Sequence, residues 1–255
     1  MDERVTLVLD KVKDSCQRIF HSDLVGIYLH GSIAFSCFNW DKSDIDFIVV
    51  VEKTPSLRQK QQFIYDLLKI DEIAPIKGLE MSVVLKDHTQ NFIYPTPFEL
   101  HYSNAHKQAC IENVEEYCLS MHGVDSDLAA HFTIIKAVGI TLYGEDKDQI
   151  FGIVPKADYE KSIISDIANI KEEILENPVY YVLNLCRILA YRKDNSIFSK
   201  LDGGFWALQN LPKDYTSVIN LAITCYSTDI IFKEDGNRLM EFTAYMLEMI
   251  DPDLI

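Results

Sequence analysis

"SDIDFIVVV", Ser43 to Val51, is the stretch that most constrains this chain: an apolar run that opens on two acids two positions apart. A succession of β-branched and aromatic residues reads as a buried strand. Strands alternate faces, so Asp44 and Asp46 share one face and crowd each other. Two carboxylates about 4 Å apart repel by roughly 4 kcal/mol at an effective dielectric near 20, so a buried pair needs a counter-charge. The neighbourhood offers Lys42, with Lys53 beyond the strand. Magnesium answers the same need, since it takes oxygen ligands and commonly pairs one or two carboxylates with substrate phosphates.

Around this stretch strands and helices alternate. "LVGIYLH" (Leu24 to His30) and "LEMSVVLK" (Leu79 to Lys86) read as further strands, and "PFELHYS" as a fourth. Helical spacing of apolar residues predicts an amphipathic N-terminal helix, a helix from Pro55, and others over Ala105 to Ser120 and Val124 to Asp146, the last closed by a turn at Gly144. Beyond "FGIVPKADY" the strand signals stop. Helices are expected over Tyr159 to Leu175, Val179 to Arg192, Phe205 to Leu211, Tyr215 to Tyr226 and Asn237 to Ile250. The expected fold is α+β: a mixed sheet flanked by helices over residues 1–155, then an all-α domain over residues 156–255.

Composition excludes some functions. Against 24 Lys and Arg stand 39 Asp and Glu, a net charge of -15, which argues against a protein that grips nucleic-acid phosphates and favours cationic partners or metal ions. The six cysteines form no CxxC pair and sit among apolar residues, as expected of free thiols in a reducing compartment. No signal-peptide layout and no run of about 18 apolar residues occurs, so the expectation is a cytoplasmic monomer without a membrane partner.

Glu80 opens the third strand and alternates with Ser82, so it can point to the same end of the sheet as the two aspartates. Two acids on one strand and a third on a neighbour suit phosphoryl transfer: the aspartates hold metal against phosphate oxygens, and Glu80 accepts a hydroxyl proton or joins the metal shell. Gly31-Ser32, at the end of the preceding strand, fits as a phosphate-side turn, glycine for close backbone approach and the hydroxyl as donor. Alone, an Asp-x-Asp is a weak signal, a Gly-Ser pair is most often a plain turn, and an acid at a strand end is most often solvated. The signal is their order and spacing.

The pattern "GS…SDIDFIVV…LEMSVV" resembles the polymerase-beta-type nucleotidyltransferase superfamily, and the chain as a whole resembles its aminoglycoside adenylyltransferases of the spectinomycin/streptomycin type. The resemblance extends through "VLNLCRILAY", "SKLDGGFWALQNLP" and the tyrosine of "CYST". It implies transfer of AMP from ATP to a hydroxyl of an aminoglycoside or aminocyclitol, with two magnesium ions on Asp44 and Asp46, Glu80 as general base and shared metal ligand, and a cleft between the domains. By the same resemblance Arg187 and Lys200 reach the ATP phosphates and Tyr226 lies near the nucleotide. Tyr102, Asn104 and Asp127 are then the expected acceptor contacts, Asp127 matching an acid in the family's "DPDLA" segment. On residue type alone Arg187 is a cation on an apolar helix face, Lys200 a surface lysine and Asp127 a helix-start acid.

Two departures concern the acceptor. Where the family usually carries Gly-Glu-Trp, this chain has "HYSNAH", which places Ala105 where the tryptophan would pack against the drug. The helix before "ENPVYY" also lacks the tryptophan of streptomycin-modifying members, so the expectation leans to spectinomycin. The rival expectations are the same transfer to a protein hydroxyl or another acceptor, a non-catalytic nucleotide-binding relative, and a polynucleotide nucleotidyltransferase, which the net charge opposes.

Overall fold

The computed structural model describes residues 2–254 and divides into two compact units, Met1–Tyr159 and Glu160–Ile255. The first is built on a five-stranded mixed sheet. Helix α1 (Glu3–Phe20) starts where the Asp2 side chain accepts from the Arg4 amide and buries Val5, Val8, Leu9, Val12 and Cys16 along one stripe. Strands β1 (Leu24–Leu29) and β2 (Ile45–Val51) pair antiparallel, with the short helix α2 (Gly31–Ala34) between them. Helix α3 (Leu57–Asp71), opened by a capping box in which Ser56 and Gln59 bond each other's backbone, carries the chain across to β3 (Leu79–Leu85). That crossover lets β3 run parallel to β2.

After α4 (Lys86–Gln90), β4 (Thr96–Phe98) and β5 (Leu100–Tyr102) lie on either side of Glu99. The single strand expected over "PFELHYS" is therefore two: β5 joins the main sheet beside β3, while β4 pairs with β6 (Gly123–Asp125) in a separate ribbon. The helix expected over Ala105 to Ser120 is also two, α5 (Lys107–Glu112) and α6 (Val114–Ser120). Asn113 divides them by leaving helical geometry, with φ -155°, and accepting from the Glu116 amide with its side chain.

The largest departure lies over Val124 to Asp146. In place of one helix the chain forms β6, α7 (Leu128–Val138) and β7 (Ile140–Gly144), and β7 completes the sheet order β5-β3-β2-β1-β7. The break falls at Gly139, where any Cβ would lie 2.6 Å from the Ile135 carbonyl oxygen, and β-branched Ile140 and Thr141 then find the open edge of β1. Gly144 does not close a helix. It ends the strand with φ +92°, and a Cβ there would overlap the Val25 carbonyl.

The sheet's two faces differ. One carries Ile27, Leu29, Ile45, Phe47, Val49, Met81, Val83 and Tyr102 into the main core under α1, α3 and α6. The other carries Tyr28, Ile48, Val50 and Val84 against Leu128, Phe132 and Ile135 of α7 and against Phe151, just past α8 (Lys147–Ile150).

The second unit is helical. Helix α9 (Lys156–Ser165), which begins in the first unit's span, is followed by a turn and the short α10 (Ile170–Glu173), so the helix expected over Tyr159 to Leu175 is interrupted at residues 166–169. Helix α11 (Pro178–Asp194) is its centre and packs against α12 (Lys200–Asn210), α13 (Thr216–Ser227) and α14 (Gly236–Ile250). Among the described residues no helix is long and apolar enough to cross a membrane.

Gly144→Ala should destabilise the first unit by about 1–3 kcal/mol, from the left-handed backbone and the overlap with β1. Chemical denaturation followed by tryptophan and far-UV signals checks this, and an unchanged midpoint would refute it.

Candidate active site

The acids that open the apolar run do converge with Glu80. Asp44, one residue ahead of β2, Asp46 within it and Glu80 in β3 each bring a carboxylate oxygen within 4.8 Å of the others, and all three are half-buried. The parallel register sets Asp46 directly beside Glu80, so two neighbouring strands present their acids at one end of one face. At that spacing each pair of charges repels by about 3–4 kcal/mol for an effective dielectric of about 20. Lys53 does not relieve this, since it pairs with Asp23 at 3.3 Å.

Gly31 and Ser32 begin α2 at the end of β1. Gly31 has φ +57°, and a Cβ there would overlap the Asp46 carboxylate, so the absence of a side chain is what lets this turn and the acids coexist. The Ser32 hydroxyl oxygen is buried and makes no hydrogen bond within the protein. A buried hydroxyl without a partner is costly, and here it sits at the turn suited to receive an anionic oxygen. Three convergent carboxylates with a side-chain-free turn beside them fit a hard divalent cation and an anionic ligand.

Behind the acids the support is polar but uncharged. His30 is 3% exposed, its amide donates to the Asp46 carbonyl at 3.1 Å, and its ring lies 4.5 Å from that of His131 on α7. Burial, with a smaller contribution from His131, holds the His30 imidazole well below its usual range, so it stays neutral. A neutral neighbour leaves the acids' negative charge available to a cation.

Further along the same face, Ser82 lies two residues beyond Glu80, and His101 on β5 pairs with it across the strands. The Ser82 hydroxyl and His101 Nδ1 are 3.0 Å apart. Burial first, then His106, push the His101 imidazole down to about 4, and the weaker pull of Asp125 in the other direction does not offset them.

The remaining expected site residues are placed as follows. Tyr102 lies on the opposite face, with 0% exposure, inside the main core, where burial and the nearby Asp71 raise its phenol. Asn104 and Ala105 occupy an exposed turn after β5, and half-buried Asp127 immediately precedes α7. In the second unit, Arg187 on α11 donates to Asp166 at 2.9 Å and keeps a buried Nε without a hydrogen bond. Lys200, the first residue of α12, has its ammonium 4.5 Å from the centre of the Tyr180 ring. Gly203 and Gly204 allow the α12 backbone to close on Arg187 and on Leu183 and Ile223. Tyr226 is half-buried near the end of α13. His30, Ser82, His101 and His131 were not among the expected site residues, although period-two alternation from Glu80 reaches Ser82.

Known proteins match over nearly the whole chain. A family model described as a nucleotidyltransferase domain matches residues 9–113, and one described as the C-terminal domain of aminoglycoside adenylyltransferase matches residues 149–249. The sequence is 26% identical over 242 residues to a spectinomycin 9-adenylyltransferase of Staphylococcus aureus, covering 92% of this chain and 91% of that protein. To an aminoglycoside (3'') (9) adenylyltransferase of Klebsiella pneumoniae it is 24% identical over 254 residues, covering 95% and 94%. The crystal structure of spectinomycin adenyltransferase AAD(9) from Enterococcus faecialis, with ATP and spectinomycin, superposes with a TM-score of 0.80 over 96% of this chain and 98% of that one. Its sequence identity is 19%, and the likeness is one of fold.

If the three acids hold a divalent cation, saturating magnesium should raise the unfolding temperature, by about 2.7 kcal/mol of stability at a hundredfold excess over Kd. The rise should disappear in Asp46→Asn and in Gly31→Ala, whose new methyl displaces the carboxylate. An equal rise in all three proteins would refute the site.

Proposed function

We propose that this chain, which matches a nucleotidyltransferase domain over residues 9–113 and the C-terminal domain of aminoglycoside adenylyltransferase over residues 149–249, is an aminoglycoside adenylyltransferase that transfers AMP from ATP to a hydroxyl of a spectinomycin-like aminocyclitol and releases pyrophosphate. The observation that carries the proposal is the convergence of Asp44, Asp46 and Glu80 beside the Gly31-Ser32 turn.

In this reading Gly31 admits the phosphates close to the backbone, and the unpartnered Ser32 hydroxyl donates to one of their oxygens. Glu80 takes the proton from the acceptor hydroxyl as its oxygen attacks the α-phosphorus. A new phosphorus–oxygen bond forms, the bond to the β-phosphate bridging oxygen breaks, and pyrophosphate leaves with that electron pair. Asp44 and Asp46, with Glu80 alongside, would hold two magnesium ions, which when bound neutralise charge on the phosphates. Arg187 and Lys200 are assigned to the phosphates and Tyr226 to the nucleotide, on the strength of the family match over the second unit.

Spectinomycin is favoured over streptomycin because the helix before "ENPVYY" lacks the tryptophan of streptomycin-modifying members, and Ala105, where the family's other tryptophan is expected, lies exposed in the turn after β5. Asp127 is assigned to an amine of the acceptor. Tyr102 is not retained among the acceptor contacts, because its side chain is enclosed in the core.

Incubation with ATP, magnesium and a panel of aminoglycosides and aminocyclitols should release pyrophosphate, fastest with spectinomycin. Glu80→Gln should lower kcat by about 10²–10⁴-fold while ATP still binds. No release with any acceptor, or release unaffected by Glu80→Gln, would refute the corresponding part. Because the chain carries a net charge of -15 and the acceptor is a cation, kcat/KM should also fall as salt is raised. A salt-independent kcat/KM would remove steering.

A further inference from the structure

We propose that His101, tethered by Ser82, is an acceptor-contacting residue that helps set specificity for an acceptor hydroxyl or carbonyl. The inference rests on the adenylyl-transfer reading above.

The position follows from the sheet. Asp46 pairs with Glu80 across β2 and β3, and Ser82 pairs with His101 across β3 and β5. Glu80 and Ser82 are two apart on one strand, so Asp46, Glu80, Ser82 and His101 all project from the same face. Gly31, Ser32, Asp44 and Asp46 therefore lie toward β1 and β2, His101 lies toward β5, and Glu80 stands between them. In-line attack requires the acceptor oxygen to enter opposite the departing pyrophosphate and within reach of Glu80. With the phosphates held on the β1 and β2 side, the acceptor approaches Glu80 from the side of His101.

The ring is fixed for such a role. Its Nδ1 is 3.0 Å from the hydroxyl of Ser82, a residue only 3% exposed. Edge contacts with His106 at 5.4 Å and Phe98 at 6.4 Å between ring centroids limit rotation. The backbone beneath is held by the Tyr117 hydroxyl, which donates to the His101 carbonyl at 2.6 Å. With Nδ1 engaged, Nε2 is the ring atom left to meet a ligand.

The chemistry fits a cationic acceptor that also carries oxygens. A protonated histidine here would repel an aminocyclitol and lower the basicity of Glu80. His101 is held neutral, so Nε2 offers one uncharged donor or acceptor, suited to a hydroxyl or carbonyl rather than to an ammonium group. A polar group fixed in this way rejects molecules that lack its partner more strongly than an apolar wall does.

The test is steady-state kinetics with spectinomycin on wild type, His101→Leu, His101→Gln and Ser82→Ala, with ATP affinity and melting temperature measured on each. His101→Leu should raise KM for spectinomycin about tenfold or more, the loss of roughly one hydrogen bond with its partner left unpaired. ATP affinity should stay within about twofold of wild type, as expected if the nucleotide is held from β1 and β2. His101→Gln, which keeps an amide able to donate or accept, should recover part of the affinity, and Ser82→Ala should fall between. If KM for spectinomycin is unchanged in His101→Leu and Ser82→Ala while only the melting temperature falls, the pair merely braces β5 and this inference alone is overturned. If ATP affinity falls in step with spectinomycin affinity, the assignment to the acceptor is overturned. If the wild-type protein does not modify spectinomycin, the proposed function fails and this inference with it.

Discussion

Three negative charges held within 4.8 Å of one another are the constraint around which the first unit is organised. Nothing in an apolar sheet would gather Asp44, Asp46 and Glu80 spontaneously. They meet because the opposite face of the same strands buries Ile45, Phe47, Leu79 and Met81, each fully or almost fully enclosed, and strand alternation then delivers the intervening acids to the other side. The core is thus the source of the force that holds the acids together, and a cation is the means of lowering its cost. Gly31 completes the arrangement by negative space, since any side chain at φ +57° would meet the Asp46 carboxylate. The buried neutral ring of His30 supplies a polar floor that does not cancel the charge above it.

That logic explains what could be read from the sequence. The acids, the Gly-Ser turn and the three long strands are local patterns, legible because hydrophobic alternation and breaker residues lie within a few positions of one another. The helical half was equally legible in its centre, where α11, α13 and α14 fall close to their expected spans, while α12 begins five residues earlier than expected, at Lys200. What could not be read depends on pairing between distant segments. β7 looks like the tail of a helix until the free edge of β1 is known, because "GITLYG" continues an apolar run and only Gly139 marks the break. A strand over "PFELHYS" was legible, but its division at Glu99 into β4 and β5 is set by pairing with β6 and β3.

The same limit decides between adjacent residues. Within "LHYS" the expected acceptor contact was Tyr102, yet one residue of register separates a side chain in the core from one on the face that carries Glu80. Met81 opposite Tyr102 and Ser82 opposite His101 settle which is which: the tyrosine joins the apolar face, and the histidine joins the acids. Parity along a strand outranks residue type, because the energetic penalty of turning an apolar face to water applies to the whole strand at once.

The two halves of the candidate chemistry are therefore specified by different kinds of information. On the proposed reading, nucleotide handling rests on charge and on backbone close approach, which tolerate little substitution: carboxylates must stay carboxylates, and Gly31 must stay free of a Cβ. Acceptor handling rests on which side chains a loosely defined edge strand and an exposed turn happen to present. On the proposed reading, with Ala105 where the family's tryptophan is expected, recognition on this side rests on directed hydrogen bonding rather than stacking, with the neutral His101 held by Ser82 as the group to supply it. Stacking accepts a range of flat or apolar ligands, whereas a single oriented nitrogen asks for one oxygen in one place. An edge strand can change that demand with one substitution and leave the acids untouched, which is how one nucleotide-binding sheet can serve different acceptors.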